Sequence, residues 1–324
     1  MGGICLKKQL VVNLYEKDIF INNIRGYEDL HIDDEDLNFQ TSLISGYDLI
    51  GVNRIKVFSN DKMSKAGGFF SHYLKCNGYD YLTIKGISDR PIFIYINKDD
   101  IKIYDAKDFF FNTYNETKNI IKNIINDDNL EISAISLGGA YGVDFAKIMF
   151  DREKSCGKNG LGKIMGEKNL KAIAIYKNES LKIENENIIV NLNRNISARL
   201  GNSDINSYFN DENSCFGCNI NCKSTSLKKL IKKGNTPGKA QEIDNICNIY
   251  GVDSLVFNQF LTEDESIQGL INKIIKNPQF YKIYAKKMCE EKEELDELGF
   301  CKFLINKNII TKEEVDTLIK NIND

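Results

Sequence analysis

The first half of the chain contains short apolar stretches that alternate with polar residues or are rich in β-branched residues, and these stretches predict strands. A turn-like stretch at 86–89 and an Asp-Asp pair at 99–100 separate three of them, so we expect residues 81–104 to form a three-stranded meander. Glycine-rich segments interrupt the pattern. The predicted strands cover residues 10–15, 52–58, 81–85, 91–96, 101–104, 132–137 and 170–176.

Apolar residues at helical spacing predict one helix in this half, over 114–125, and Ser71 is placed to begin a short helix ending near residue 78. From about residue 178 helices and loops replace strands. We expect helices over 227–233, 242–250, 267–275 and 280–298, and a last helix that starts with the capping box Thr311–Glu314. Residues 187–200 are rich in Asn, and no element is assigned to them. The chain therefore divides into a β-rich domain, 1–180, and a helical domain, 181–324.

Charge and composition exclude two classes of protein. The chain has 43 Lys and Arg against 46 Asp and Glu, a net charge of −3, whereas a protein that binds nucleic acid electrostatically carries a basic field. The longest apolar runs fall far short of the roughly 20 residues that span a bilayer, and no secretory signal is recognised. We expect a cytoplasmic protein without nucleic-acid or membrane partners.

The most specific local signal is a cysteine motif, Cys215-x₂-Cys218-x₃-Cys222. A tight loop turns such thiolates toward one centre, and a fourth ligand from elsewhere would complete a cubane iron–sulfur cluster. A structural zinc site with four cysteines and three unrelated buried cysteines are the alternatives. Cys301 follows Gly299 at the end of a predicted helix, and this turn is suited to presenting its thiolate.

The segment 157–171 is rich in Gly and Lys. Glycines permit positive φ and close backbone approach, and lysines supply positive charge, so the loop is suited to an anion such as phosphate. The spacing fits neither the P-loop nor the dinucleotide-binding pattern, which disfavours nucleotide binding. An ordinary surface loop is the alternative.

Taken together, these segments resemble the tungsten-containing aldehyde:ferredoxin oxidoreductase family. Residues 66–80 resemble its SGGFF-to-GYD segment, and residues 157–175 resemble its G-x-GGLG loop and the following strand. The cysteines have the family's spacing. The order of the similar segments is also the family's, these being 66–80, 135–149, 157–175, 215–222, 247–253 and 296–303.

The resemblance implies an α+β fold, with an N-terminal tungstopterin-binding domain of two β-sheets followed by a reduced α-helical domain that carries the iron–sulfur cysteines. It implies a tungstopterin, that is, a molybdopterin-type pyranopterin with tungsten or molybdenum, beside a [4Fe–4S] cluster. The implied cluster ligands are Cys215, Cys218, Cys222 and Cys301. The implied pterin-contacting residues are Arg54, Gly67, Gly68, Lys158, Gly160, Asn248, Asp253 and Asp296.

This sequence departs from the family at several of these positions. Asn248 stands where the family has Asp, and an amide keeps an acceptor while adding donors. Lys158 stands where Arg is usual, which retains the charge but loses the bidentate fork. The large helical segment that precedes the second pterin motif is short here. No catalytic acid or base is identified, Glu242 being the only candidate.

The resemblance implies a redox enzyme that oxidises an aldehyde or related small carbonyl compound and relays electrons through the cluster to ferredoxin or a similar carrier. The shortened helical part leaves the metal site open, so we also expect that a partner subunit closes it. The first alternative is a non-catalytic cofactor-holding or electron-transfer subunit of a larger complex. The second is a structural remnant that holds only zinc or a cluster.

Overall fold

Two six-stranded β-sheets form the centre of the protein. The computed structural model describes residues 7–25, 29–151, 154–201, 215, 218, 224–282 and 300–323. Sheet A has the order β2-β1-β6-β3-β4-β5, in which only β1 and β6 are parallel. Its strands are β1 (Lys7–Asn13), β2 (Asp18–Ile24), β3 (Leu37–Gln40), β4 (Ile55–Ser59), β5 (Lys62–Ala66) and β6 (Tyr81–Lys85).

Sheet B has the order β11-β10-β9-β12-β7-β8, in which only β7 and β12 are parallel. Its strands are β7 (Ile92–Asn97), β8 (Asp100–Asp105), β9 (Leu130–Ile135), β10 (Ile148–Phe150), β11 (Lys154–Cys156) and β12 (Leu170–Tyr176). β7, β9 and β12 are almost wholly buried because both faces of this sheet are covered.

Helices surround the sheets. In the described part of the chain they are α1 (Phe70–Cys76), α2 (Tyr114–Ile125), α3 (Leu137–Ala140), α4 (Leu161–Glu167), α5 (Glu186–Gly201), α6 (Ser224–Lys232), α7 (Pro237–Tyr250), α8 (Ser254–Phe260), α9 (Ile267–Lys276), α10 (Lys302–Asn306) and α11 (Lys312–Asn323). None of the helices described is long and apolar enough to cross a membrane.

The main core lies between the two sheets. Alternate residues of β1 and β6 face the same cluster as alternate residues of β7, as the period of a strand requires, and α1 and α4 close its ends. The outer face of sheet B packs against α2, which begins at a Thr113–Glu116 capping box. Two further clusters join the helices to loops of the first half: α5, α10 and α11 pack on residues 44–52, and α6–α9 pack on residues 143–146.

The α+β class and the two sheets are confirmed. The predicted meander at 81–104 is wrong, because β6 lies in sheet A whereas β7 and β8 lie in sheet B. Residues 187–200, left without an element, form α5, in which Ile189, Leu192 and Ile196 are buried at helical spacing. The expected helix at 280–298 falls almost wholly outside the described residues.

The capping box of the last helix is present. Thr311 N–H and hydroxyl both donate to the Glu314 carboxylate, at 3.1 and 2.9 Å, and Arg199 binds the same carboxylate. The described strands end at Tyr176 and the later helices begin at Glu186. The division at residue 180 stays a prediction, since two of the hydrophobic clusters contain residues from both sides of it.

Candidate functional site

Several of the predicted pterin-contacting residues that the structure describes lie near strand β11 or follow it in sequence. It pairs with β10 on one side, and on the other the Cys156 thiol donates to the Ser64 carbonyl of β5 at 3.6 Å. Burial raises the pKa of Cys156 to about 12, although the Ser64 contact and the charge of nearby Arg54 oppose the rise. Cys156 is therefore a neutral buried thiol, and Arg54 lies close to it.

The glycine pair after β5 touches a cysteine and a lysine. A Cβ built on Gly67 would lie 2.6 Å from Cys215 Sγ, and one built on Gly68 would lie 3.4 Å from Lys154 Cγ. Gly67 follows Ala66, which is paired with Ile55, so Arg54 is across the hairpin from this glycine. The absence of a side chain at Gly67 is what allows the Cys215 thiol to approach the backbone.

Three of the four predicted cluster ligands, Cys215, Cys218 and Cys301, are described. Cys218 N–H donates to the Cys215 carbonyl at 2.9 Å, and Cys301 N–H donates to the Gly51 carbonyl at 2.7 Å. Cys218 and Cys301 pack against the same hydrophobic cluster. Within the described residues, no group of three or more His, Cys, Asp or Glu side chains is arranged to hold a metal ion. Cys222 and Asp296 lie outside them.

The second predicted pterin motif, 248–253, links the end of α7 to the start of α8 and docks on residues 145–147. Gly251 ends α7 in the left-handed conformation, and Asp253 caps α8 by accepting from the N–H groups of Leu255 and Val256 at 2.9 and 3.0 Å. Backbone bonds tie the motif to Phe145 and Lys147. The second oxygen of Asp253, Oδ2, would lie 3.2 Å from a Cβ built on Gly157, just after β11.

Sequence reasoning missed Lys147. Its side chain is buried, its Nζ donates to Asn248 Oδ1 at 2.8 Å, and its Cδ lies 3.1 Å from a Cβ built on Gly157. Asn248 Nδ2 in turn donates to Asp244 Oδ2 at 3.3 Å. The sequence signal that could have identified Lys147 is its place inside the apolar run 145–150. A charge buried there without a partner would be costly, so a partner is expected.

The glycine-rich loop enters α4 through a tight turn. Gly160 has φ +70°, and a Cβ there would lie 2.0 Å from the Asp144 carbonyl oxygen, so no other residue fits. Asn159 Nδ2 donates to the Met63 carbonyl at 3.3 Å, which ties the loop to β5. Of Lys158 only the backbone is described, in a short 3₁₀ helix.

The remaining candidate, Glu242, is exposed on α7. The two histidines differ in their surroundings. His31 is exposed and meets Phe20 edge-on, whereas His72 is buried with Nε2 3.1 Å from Ser180 Oγ. Burial lowers the pKa of His72 to about 4, so it is neutral at physiological pH.

Comparisons with known proteins give one consistent relationship. The family model for the aldehyde ferredoxin oxidoreductase N-terminal domain matches residues 15–177, half of the chain. Over 121 residues the chain is 37% identical to the tungsten-containing aldehyde ferredoxin oxidoreductase of Thermococcus kodakarensis and 36% identical to that of Pyrococcus furiosus. Each alignment covers 37% of this chain and 20% of the relative, so the matched segment spans about a fifth of these relatives.

Two further proteins are similar. A Pyrococcus furiosus protein named aliphatic sulfonate oxidoreductase, WOR-like subunit, is 29% identical over 131 residues, 34% of this chain and 21% of that protein. The active-site complex BamBC of benzoyl coenzyme A reductase, solved with 1,5-dienoyl-CoA, has a similar fold, with a TM-score of 0.68 at 19% identity over 84% of this chain and 60% of that one. The named relatives are oxidoreductases. From the extent of the family match, the chain belongs to the aldehyde ferredoxin oxidoreductase family.

Proposed function

We propose that this chain binds a pyranopterin carrying tungsten or molybdenum beside a [4Fe–4S] cluster, and that it oxidises an aldehyde or related small carbonyl compound with electrons passed to ferredoxin or a similar carrier. The observation that carries the proposal is the contact of Cys215 Sγ with Gly67. It brings a cysteine of the three-cysteine motif against the glycine pair that the family resemblance assigns to the pterin.

The residues around β11 fit an anionic, hydrogen-bonding cofactor. Arg54 and Lys154 supply positive charge on the hairpin side, and Lys147 supplies it on the side of the second motif. Cations of this kind bind phosphate groups. Because an ammonium group only donates hydrogen bonds, the Asn248 amide presents its oxygen to Lys147. The second oxygen of Asp253 would accept from a pterin N–H.

The six cysteines that the structure describes divide into two sets, and this division fits a cluster. Cys76, Cys156 and Cys247 are buried, and burial raises the pKa of each thiol, to about 12 for the first two. Such thiols stay protonated and inert. Cys215, Cys218 and Cys301 are half-buried and form no disulfide. Thiolates are the usual ligands of [4Fe–4S] clusters, and we propose Cys222 as the fourth.

When bound, the pyranopterin metal supplies two-electron oxidation with oxygen transfer, and the cluster supplies one-electron relay. The chain's own contribution is to bind and orient the cofactors and to exclude water around β11. Glu242 is not assigned an acid–base role, because it is exposed on α7 and nothing described connects it to β11.

Anaerobic purification followed by elemental analysis of Fe, W, Mo and Zn tests the proposal. We expect about four Fe and about one W or Mo per chain, and aldehyde-dependent reduction of a viologen dye. A preparation with stoichiometric zinc and no iron would contradict the cluster. Loaded protein that is inert with every aldehyde and dye would contradict the enzymatic part alone.

The second candidate is a cofactor-holding or electron-transfer subunit of a larger complex. It is favoured because one relative is named as a subunit and the similar solved structure is a complex. It predicts a partner that co-purifies in a fixed ratio and restores dye reduction to an inactive isolated chain. An isolated chain that is monomeric and fully active would contradict it.

A further inference from the structure

We propose that the end of sheet A opposite the glycine pair binds a small organic cation that carries ammonium groups. A cavity of about 640 Å³ lies there, between the sheet and α4. This volume is in the range of small-molecule sites, roughly 300–1,000 Å³. The cavity is separate from the candidate cofactor site, because Ser59, which lines it, and Ile55, beside the glycine pair, are at opposite ends of β4, about 13 Å apart.

The topology of sheet A brings the lining residues together. β1 and β6 are parallel and end at Asn13 and Lys85, and β3 runs the other way and begins just after Asp36. β4 ends at Ser59, so these residues of all four strands lie at the same end of the sheet. From the other side, α4 contributes Ile164 and the residues that end the helix.

Carboxylates outnumber ammonium groups in this lining. Lys85 binds two of the acids, Asp33 at 2.6 Å and Asp36 at 3.0 Å. Lys168 donates to the Gly86 carbonyl at 3.1 Å. The charged lining residues are five acids and two lysines, a formal charge of −3: Asp33, Asp34, Glu35, Asp36, Glu167, Lys85 and Lys168.

Two further acids, Asp34 and Glu35, are placed to bind a ligand, although the charge of Glu35 also acts on Lys168. Among the described residues, no hydrogen bond or ion pair is made by the side chain of Asp34 or Glu35, and both are exposed at the mouth. Tyr15, which is 80% exposed, lines the same cavity. An aromatic face next to carboxylates attracts a cation.

A buried hydroxyl points to a ligand independently of these charges. Ser59 is 1% exposed, and in the part of the chain that the structure describes its Oγ has no hydrogen-bond partner. Its side chain is on the same face of β4 as Ile55 and Val57, which face the core, and it therefore lies at the inner end of the cavity near α4. Buried hydroxyls are normally satisfied, and a ligand N–H reaching the inner end would satisfy this one.

A metal ion does not fit this lining. Among the residues described, no three His, Cys, Asp or Glu side chains are close enough together to hold one. The volume also far exceeds that of a single ion, which is bound at about 2.0–2.6 Å by oxygen ligands. Separated carboxylates, an aromatic ring and a distant hydroxyl suit an elongated cation with several N–H donors.

Isothermal titration calorimetry on the full chain, with spermidine as the probe, tests this proposal. We expect one spermidine per chain, with weaker binding as salt is raised. The double variant Asp34→Asn/Glu35→Gln should bind at least about tenfold more weakly. The matched control Glu263→Gln/Asp264→Asn removes the same charge from an exposed pair outside the cavity and should bind as the wild type does.

Ser59→Ala is a second variant that leaves all charges in place, and we expect a smaller loss of affinity, about threefold to tenfold. A lysine tripeptide distinguishes the source of the cation: tighter binding of the peptide than of spermidine indicates a side chain of a partner, and the reverse indicates a free amine. Equal binding by both double variants, no heat with either cation, or stoichiometric Mg²⁺ binding that displaces spermidine would overturn the proposal.

Discussion

Gly67→Ala tests whether the thiol held against the glycine pair is a cluster ligand. A Cβ at this position would lie 2.6 Å from Cys215 Sγ, whereas non-bonded atoms of this size pack at about 3.5–4.0 Å. The thiol therefore has to move by about 1 Å. Gly67 does not have a positive φ, so the backbone itself accepts alanine without strain.

The same displacement has very different consequences for stability and for metal binding. Sγ is the end of a flexible side chain, and moving it off its rotamer costs about 0.5–1.5 kcal/mol. Metal ligation tolerates only about 0.2 Å of error in a ligand distance. We therefore expect Gly67→Ala to fold with a melting temperature within a few degrees of the wild type and to lose its cluster.

The assay compares iron per chain, visible absorbance and the electron paramagnetic resonance of the reduced protein after anaerobic purification. Cys215→Ala provides the reference for loss of the ligand. Gly238→Ala is the matched control, since a Cβ there meets nothing within 4 Å, and it should retain wild-type iron. If Gly67→Ala kept the wild-type iron content and spectrum, Cys215 would not be a ligand held at this contact. Wild-type protein without iron would instead contradict the proposed function.

Three further predictions concern stability. Burial raises the pKa of Glu131 well above its ordinary value, so unfolding releases a proton above about pH 4.5. The free energy of unfolding therefore falls as pH rises, by up to about 1.4 kcal/mol per pH unit. Glu131→Gln should flatten this pH dependence in urea unfolding, and an unchanged slope would refute the reasoning. Gly160→Ala should cost more than Gly142→Ala by about 2 kcal/mol or more, because both positions have positive φ but only Gly160 also meets the backbone; equal losses would contradict the clash. Burial would raise the pKa of Glu314, but hydrogen bonds from Arg199 and Thr311 outweigh it and hold the pKa at about 2. Glu314→Gln should therefore lower the free energy of unfolding by about 1 kcal/mol at pH 7, and by progressively less as pH falls from 4.5 toward 2, as followed by thermal melts.

The local sequence pattern predicted the bounds of some elements. The helix over 114–125 and the strand over 170–176 have the predicted bounds. Strand pairing was not predictable in this way, because β6 and β7 are adjacent in sequence yet belong to different sheets. α5 was missed because its apolar residues are diluted by asparagines, and only packing against 44–52 shows which face is buried.

For the site, sequence motifs identified residues whose backbone geometry is demanding, and Gly160 is an example. They did not identify Lys147, because the periodicity of a helix or a strand does not show which residue pairs with a charged residue inside an apolar run. Its partner, Asn248, is 101 positions away. The structure adds this pair, together with the contact between Gly67 and Cys215.

Backbone hydrogen bonds explain how the second motif keeps its position although its first side chain differs from the family pattern. Lys147 N–H donates to the Gly251 carbonyl at 2.7 Å, and Asp253 N–H donates to the Phe145 carbonyl at 3.0 Å. These groups are the same whatever side chain stands at 248. A carboxylate there would form a buried ion pair with Lys147, whereas the amide accepts a hydrogen bond from it and adds no negative charge. The position of the second motif is therefore determined by backbone hydrogen bonds, and its local charge by the side chains at 147 and 248.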